Sequence, residues 1–290
     1  MFVVQWREIG RSFKEENRML SRIALLLLGL ALAGHAIAGT QMPARLDICR
    51  QSTPTIREMW LKGAYDAPPA VARLMVNAID GKLPEVRRQL QDVKSADASR
   101  WRQTAMLTAA WAGQSVVVDG LLDDGAAVDG DGQIPPFKPG FFDHTVDAME
   151  HDSRFGGPTA LKRMRAAGVV SNQGRSAGPA LITAAECGDL ATLDVLLRHH
   201  ANLNTTHVGS DHMPLGGYVL LISIVNGNPV ITQRLLDYGA HPCAFDRWAA
   251  QFHLKHPTRP VHTLAEIGRH AGLPAALVTR LTCPARATAH

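Results

Sequence analysis

Two groups of histidines are the residues of this 290-residue chain best suited to bind a metal. One group lies within residues 199–212 and the other within residues 253–270. Neutral imidazole is a zinc ligand, and His253 and His256 could share one face of a helix. No cysteine or carboxylate stands at ligand spacing from either group, which favours ordinary surface histidines. We therefore expect no bound metal, and a histidine-dependent metal-binding regulator stays as an alternative function.

No motif of the chain assembles a catalytic centre. The sequence lacks a G-x-S-x-G elbow, an H-E-x-x-H pair, a Walker loop and a G-x-G-x-x-G phosphate loop. Residues 129–133, DGDGQ, resemble the start of a calcium loop, but a third acid, the glycine at position six and the closing glutamate are missing. The acidic stretch indicates a solvated turn. The sequence predicts a protein that is not an enzyme and has no cofactor.

The charge of the chain gives no sign of a nucleic-acid partner. The formal net charge is +4, and the first 38 residues hold five basic and three acidic residues. The remainder carries 25 basic and 23 acidic residues, so it is nearly neutral. Nucleic-acid binding requires a clustered basic face, which a near-neutral body does not predict. We expect a protein partner instead.

The beginning of the chain has the pattern of an export signal. A positive segment ends at Arg22, residues 23–33 are apolar, and Ala-Ile-Ala at 36–38 is a small-x-small cleavage site. The apolar run is shorter than the roughly 20 residues that a membrane span needs. We predict a signal peptide over residues 1–38, cleaved after Ala38, and a periplasmic protein. An uncleaved anchor is the alternative, and translation starting at Met19, or a cytosolic form, stays open.

Four cysteines gain the option of disulfides if the chain is exported: Cys49, Cys187, Cys243 and Cys283. Four cysteines allow three complete pairings, and the sequence does not choose among them. Cys187 lies in a helical pattern beside two alanines, which favours a small buried thiol. Cys243 and Cys283 flank the last long connection and are a candidate pair.

The clearest structural pattern occupies residues 178–204, GPALITAAECGDLATLDVLLRHHANLN. Apolar residues recur there at steps of three and four, which predicts two amphipathic helices separated by a turn at Gly188. The segment resembles an ankyrin repeat. The residues that match the ankyrin pattern are Leu181, Ala184, Ala185, Gly188, Val195, Leu196, Leu197, Ala201 and Asn204.

Other segments resemble the same repeat. Residues 104–129 and 218–242 are clear copies, and residues 71–90 and 263–281 are weaker ones. Their turn glycines are Gly81, Gly113, Gly227 and Gly272. The 75 residues between Gly113 and Gly188 correspond to about two ankyrin periods plus an insertion. We predict that a degenerate copy fills this gap, with helices at residues 142–150 and 159–167.

The resemblance implies an all-α ankyrin-repeat solenoid of about five to six helix-turn-helix units, preceded by a cleavable signal peptide. A single helix pair cannot bury its apolar face, so the copies must stack. We expect an N-terminal cap or linker at 39–68, with a helix near 56–61, repeats at 69–282 and a tail at 283–290. Long connections at 130–141, 205–215 and 241–260 would project from one face of the stack.

Ankyrin repeats typically bind proteins through hairpin tips and through the two variable residues before each turn glycine. Transferred to the matching positions, and extended to the long connections, this predicts a partner-binding surface. Trp111 is its most informative member, because large aromatic residues dominate interface hot spots. The alternative for Trp111 is packing against the insertion after Gly130, since tryptophan is often largely buried. Phe137 and Phe141 on that insertion have the same two interpretations. The predicted contact residues are Asp80, Trp111, Asp129, Asp131, Phe137, Phe141, Glu186, His207, Asp211, Tyr218 and Asn226.

The function that the resemblance implies is a non-catalytic exported protein that binds another protein. Small exported ankyrin proteins of this kind resemble immunity proteins against secreted lipase-type toxins. We therefore expect a monomer that inhibits a secreted toxin or effector. The alternative is a periplasmic scaffold or assembly factor that supports another enzyme. No stable membrane span is expected after signal cleavage.

Overall fold

The computed structural model describes residues 46–93, 95–136, 138, 175–176, 178–205, 213–255 and 262–284. The chain divides into two compact units, Met1–Gln41 with Pro135–Gly174 and Met42–Ile134 with Arg175–His290. Only residues 135, 136 and 138 of the first unit are described. All elements below belong to the second unit, and the predicted signal peptide at 1–38 lies outside the described residues.

The described part of the second unit is almost entirely helical, with one pair of two-residue strands. Its helices in chain order are α1 Leu46–Leu61, α2 Pro69–Ile79, α3 Leu83–Asp92, α4 Ser95–Trp111, α5 Ser115–Asp123, α6 Ala180–Cys187, α7 Leu190–Arg198, α8 Leu215–Val225, α9 Pro229–Asp237, α10 Pro242–Lys255, α11 Leu264–His270 and α12 Ala275–Leu281. Strand β1, Gln133–Ile134, lies between α5 and α6 and pairs antiparallel with β2, Arg175–Ser176.

The five predicted turn glycines end the first helix of each pair, as their spacing predicts. All five have positive φ, between 62° at Gly227 and 75° at Gly81 and Gly272. At Gly188, the next amide donates back into α6, from Asp189 N to Ala184 O at 3.0 Å. This is the hydrogen bond of a left-handed helix cap, which a side chain at the glycine would strain.

Several helices begin at a residue whose side chain accepts amide hydrogen bonds. Asp189 caps α7, and Asn228 caps α9 by accepting from Ile231 N at 3.0 Å. The short α11 begins with a capping box between Thr263 and Glu266. Each cap stabilises its helix by about 1 kcal/mol, which is a large contribution for helices of seven to nine residues.

The helix pairs stack into an ankyrin-repeat solenoid, which confirms the predicted fold class. The first helices, α2, α4, α6, α8 and α11, contact one another in that order and are here called the inner helices. Their paired alanines, at 109–110 and 184–185, are fully buried and allow the helices to approach closely. Fully buried leucines such as Leu121, Leu196 and Leu235 fill the space beside them, each contributing about 2 kcal/mol.

The structure corrects the prediction for the gap between the second and third copies. Helix α4 contacts α6 directly and α5 contacts α7, so no further copy separates them. The described residues therefore form five stacked units, and the segments predicted as a degenerate copy, 142–150 and 159–167, lie outside the described residues. The strands β1 and β2 pair at the base of the insertion, and Thr104 Oγ1 donates to Gln133 O at 3.0 Å.

An additional helix, α10, lies in the connection at 241–260, which the sequence predicted to be longer than usual. It packs against α8 and α11. Gly217 permits the close contact with α8, because a Cβ there would come within 2.8 Å of Phe245 Cβ. Asp246 of α10 is buried and accepts a hydrogen bond from Leu264 N at 3.0 Å, at the beginning of α11.

All four cysteines are paired. The candidate pair Cys243–Cys283 is present and ties α10 to the residues after α12. The prediction of a free buried thiol at Cys187 is wrong, because Cys187 is bonded to Cys49. The sequence obscured this pair because Cys49 lies 138 residues away, in a segment before the first repeat. The bond joins α1 to the end of α6.

Candidate protein-recognition surface

The C-terminal ends of the inner helices form a row, because each ends at a turn glycine and the helices stack in order. We call this row the inner-helix ends and define it by Asp80, Trp111, Glu186, Cys187 and Asn226. Cys187 is buried, whereas the other four are half-buried. Side chains at these positions follow the stack and lie at the boundary of its core.

Helix α1 lies across the first three positions of this row. Arg57 binds Asp80 of the first repeat, Ser52 contacts Trp111 of the second, and Cys49 is bonded to Cys187 of the third. The residues of α1 that make these contacts occur in the reverse order of the repeats: Arg57 contacts the first repeat and Cys49 the third. A 16-residue helix is about 24 Å long, enough to cross three inner helices at spacings of roughly 8–10 Å.

The contact of α1 with the first repeat is an ion pair. Arg57 Nε and Nη2 donate to the two carboxylate oxygens of Asp80 at 2.6 and 2.8 Å, and Lys82 Nζ lies 3.4 Å from Asp80 Oδ2. The hydrogen bond from Arg57 lowers the pKa of Asp80, and burial of the carboxylate opposes this only in part. The same hydrogen bond raises the pKa of Arg57. Asp80 is therefore held ionised.

The contact with the second repeat involves the tryptophan that the sequence singled out. Trp111 Nε1 donates to Ser52 Oγ at 3.2 Å, and Cys187 Sγ lies 3.9 Å from Trp111 O. The indole is half-buried. Thus Asp80 and Trp111, both predicted to contact a partner, contact α1 of the same chain in this structure.

The remaining predicted residues divide by location. Asn226 Nδ2 donates to Glu186 O at 3.2 Å, which links the third and fourth repeats at the inner-helix ends. Asp129 Oδ1 accepts from Asn202 N at 2.9 Å, which joins two neighbouring hairpin connections. Asp131 is exposed and Tyr218 is buried, only 5% accessible. Phe137, Phe141, His207 and Asp211 lie outside the described residues.

The second helices carry a feature that the sequence analysis missed: ion pairs bridge each repeat to the next. The pairs are Arg87–Asp124, His199–Asp119, Arg234–Asp194 and Arg280–Asp237, at 2.7 to 3.1 Å. The paired residues stand at different distances from their turn glycines in different repeats, so no repeat period in the sequence could have revealed them. These partly exposed pairs fix the register between repeats more than they add stability.

Neither metal chemistry nor a membrane span has a structural basis in the described residues. No group of three or more histidine, cysteine, aspartate or glutamate side chains there could hold a metal ion. His199, one of the histidines considered for zinc, pairs with Asp119. Among the same residues, no helix has the length and apolar character needed to cross a membrane.

The stacked pairs and their glycine turns define the class of the protein as an ankyrin-repeat fold. No family model matches the sequence, and no curated protein matches it. Among solved structures, one similar chain is the ankyrin repeat domain of Bcl-3, a member of the IkappaB family. It is 20% identical, the match covers 77% of this chain and 97% of that chain, and the TM-score is 0.30. The fold assignment rests on the helix pairs and their stacking.

Proposed function

We propose that this protein is an exported, non-catalytic interaction module that binds a partner protein and inhibits it, as an immunity protein inhibits a secreted lipase-like toxin. The observation that carries the proposal is the row of inner-helix ends. Its half-buried side chains lie at the boundary of the stacked core, where the solenoid can present them to a partner. One helix, α1, already occupies part of this row.

Export to the periplasm is supported by the signal pattern before Gly39 and by the two disulfides. Disulfides persist in oxidising compartments such as the periplasm and are rare in the cytosol. A toxin that acts in the envelope would be met by its inhibitor in this compartment.

We assign first contact with the partner to the carboxylates of Asp131 and Glu186, with Asn226 beside Glu186. Asp131 is exposed in the connection after α5, and Glu186 lies at the end of α6. The predicted residues Phe137, Phe141, His207 and Asp211 belong to the same proposal. A partner with a basic, partly aromatic surface would complement these side chains.

The test is co-purification and inhibition with the product of a neighbouring gene. Purified oxidised protein should bind one such product with a Kd in the nanomolar range and block its activity at one equivalent. Asp131→Lys and Glu186→Lys should weaken inhibition at least about tenfold, the effect of losing roughly 1.4 kcal/mol of binding. Arg88→Glu, an exposed charge change on α3, is the matched control.

A scaffold would give a different result in the same assay. If the neighbouring product is bound but becomes more active or more stable, inhibition is wrong and the assembly-factor alternative gains support. If no neighbouring product binds, the proposed function has no basis.

A further inference from the structure

Among the described side chains of the N-terminal half of α1, one makes a hydrogen bond to the repeats and one a disulfide. We call residues 46–53 the arm. Of the arm side chains whose burial is described, only Cys49 is buried, with 7% accessible. Within the described residues, one hydrogen bond joins the arm to the repeats, and Trp111 donates it to Ser52. One such bond contributes about 1 kcal/mol, so among the described arm side chains the Cys49–Cys187 bond is the main restraint.

The C-terminal half of α1 is anchored quite differently. Trp60 is buried with 3% accessible and lies 4.1 Å, between ring centroids, from Tyr65. Arg57 adds its two hydrogen bonds to Asp80. This half therefore belongs to the core of the first repeat, whatever the state of the disulfide.

Pro54 separates the two halves. It lies inside α1 and has no amide proton, so the helix lacks one hydrogen bond at this point. A missing hydrogen bond between a weakly held segment and a firmly anchored one defines where the helix can bend. The arm can thus move while residues 55–61 stay in place.

We propose that the arm is a redox-controlled cover over Trp111, latched by Cys49–Cys187 and hinged at Pro54. Reduction by a dithiol opens it. One donor thiolate attacks a cysteine sulfur and forms a mixed disulfide while the other cysteine leaves as a thiolate and takes up a proton. The second donor thiol then attacks the mixed disulfide and releases the remaining protein cysteine. The donor is thereby oxidised to a cyclic disulfide, and both protein cysteines end as thiols.

Opening would uncover the ends of α4 and α6. Trp111 then presents an indole ring and an N–H donor that has lost Ser52, a suitable anchor for a protein surface offering a hydroxyl or carboxylate acceptor. This last step rests on the proposed function, since it adds Trp111 to the same recognition surface. The latch itself does not depend on it.

The test uses the full chain carrying Cys243→Ser and Cys283→Ser, so that only the latch can be reduced. Hydroxyl-radical footprinting read by mass spectrometry should show Trp111 oxidation rising at least about fivefold on reduction, as expected for a local opening. Trp60 and Trp101, both buried, are internal controls and should not change. Hydrogen exchange should accelerate over residues 50–53 and stay constant over 55–61.

A second variant keeps the test decisive. Cys49→Ser with Cys187→Ser should match the reduced protein without any reductant. The proposal is overturned if Trp111 labelling is unchanged in both forms, or if Trp101 labelling rises in parallel, which would mean that the repeats unfold. A protein that inhibits no partner yet shows the predicted footprint would refute the proposed function and leave the latch intact.

Discussion

Among the described residues, His200 is the one non-glycine residue with a positive φ. In the second and fourth repeats, the corresponding positions are Gly125 and Gly239, with φ of 88° and 89°. His200 has φ of 62°, a left-handed conformation that is costly for a residue with a Cβ. The tight turn after the second helix is thus kept even where glycine is absent.

Replacing this histidine with glycine should stabilise the protein. We expect His200→Gly to raise the free energy of unfolding by about 1 kcal/mol, because the positive φ then carries no steric cost. The measurement is the midpoint of chemical denaturation. Gly239→Ala is the opposite substitution and serves as the control. A Cβ there would meet nothing within 4 Å, so we expect the free energy of unfolding to fall by about 1 kcal/mol from the positive φ alone. An unchanged or lower midpoint for His200→Gly would contradict this account.

Asp246 should make stability depend on pH. Burial raises its pKa, and the hydrogen bond from Leu264 opposes the rise only in part. The folded state therefore holds the proton more tightly than the unfolded state. This contribution to stability is complete below the unfolded pKa of 3.8 and is lost as pH rises through the raised folded pKa.

The variant Asp246→Asn keeps an oxygen acceptor for Leu264 N but cannot ionise. The difference in unfolding free energy, variant minus natural protein, should be near zero around pH 3 and should increase toward pH 7. Denaturant titrations across this range measure the difference. A difference that is flat or decreases with pH would show that the Asp246 carboxylate is not destabilised by burial.

At the scale of elements, the contact between α8 and α10 depends on a missing side chain. Alanine normally stabilises a helix by about 1 kcal/mol relative to glycine. In Gly217→Ala, however, the new Cβ would meet Phe245 Cβ at 2.8 Å and its backbone Cα at 3.2 Å. We expect a net loss of about 1–3 kcal/mol from the forced separation of the helices. Thermal unfolding of the variant checks this, and a stabilised Gly217→Ala would mean that the helices are not in close contact.

The elements that the sequence predicted well are those specified locally. The turn at Gly188 and the helices around it follow from a three- to four-residue apolar period and one glycine. The copy expected at 142–150 and 159–167 relied on spacing alone, which cannot distinguish a stacked repeat from an insertion. Helix α10 was not predicted, because it lies in a connection that has no counterpart in the repeat pattern.

The candidate site was less accessible to sequence reasoning than the fold. Trp111 and Asp80 were correctly located at the inner-helix ends by their position before the turn glycines. That α1 would bind them depends on contacts between residues 23 and 59 positions apart, and no local pattern encodes such contacts. For the same reason, the sequence did not determine that Cys49 pairs with Cys187.

At the scale of the whole array, one disulfide ties α1 to the third repeat and the other lies at the C-terminal end of the described repeats. Stacked repeats are stabilised by their neighbours, so terminal units have the fewest supporting contacts. Cys243–Cys283 closes a separation of 40 residues, which corresponds to roughly 4 kcal/mol of loop entropy. The bond therefore has its largest effect on the last helix pair, α11 and α12.

Removing this bond should destabilise the end of the array locally. In Cys243→Ser with Cys283→Ser, hydrogen exchange should accelerate in α11 and α12, whereas α2 and α4 should keep their protection. Equal acceleration in all helices would indicate a single cooperative unit. An unchanged pattern would mean that the bond is dispensable for the last repeat.

We propose that the inner-helix ends and adjoining connections recognise a protein. Calorimetric titration of the oxidised protein with the neighbouring gene product tests it most directly. We predict a one-to-one complex of nanomolar Kd that Asp131→Lys with Glu186→Lys weakens and Arg88→Glu leaves unchanged. Binding that is equally insensitive to all three substitutions, or the absence of binding, would contradict the claim.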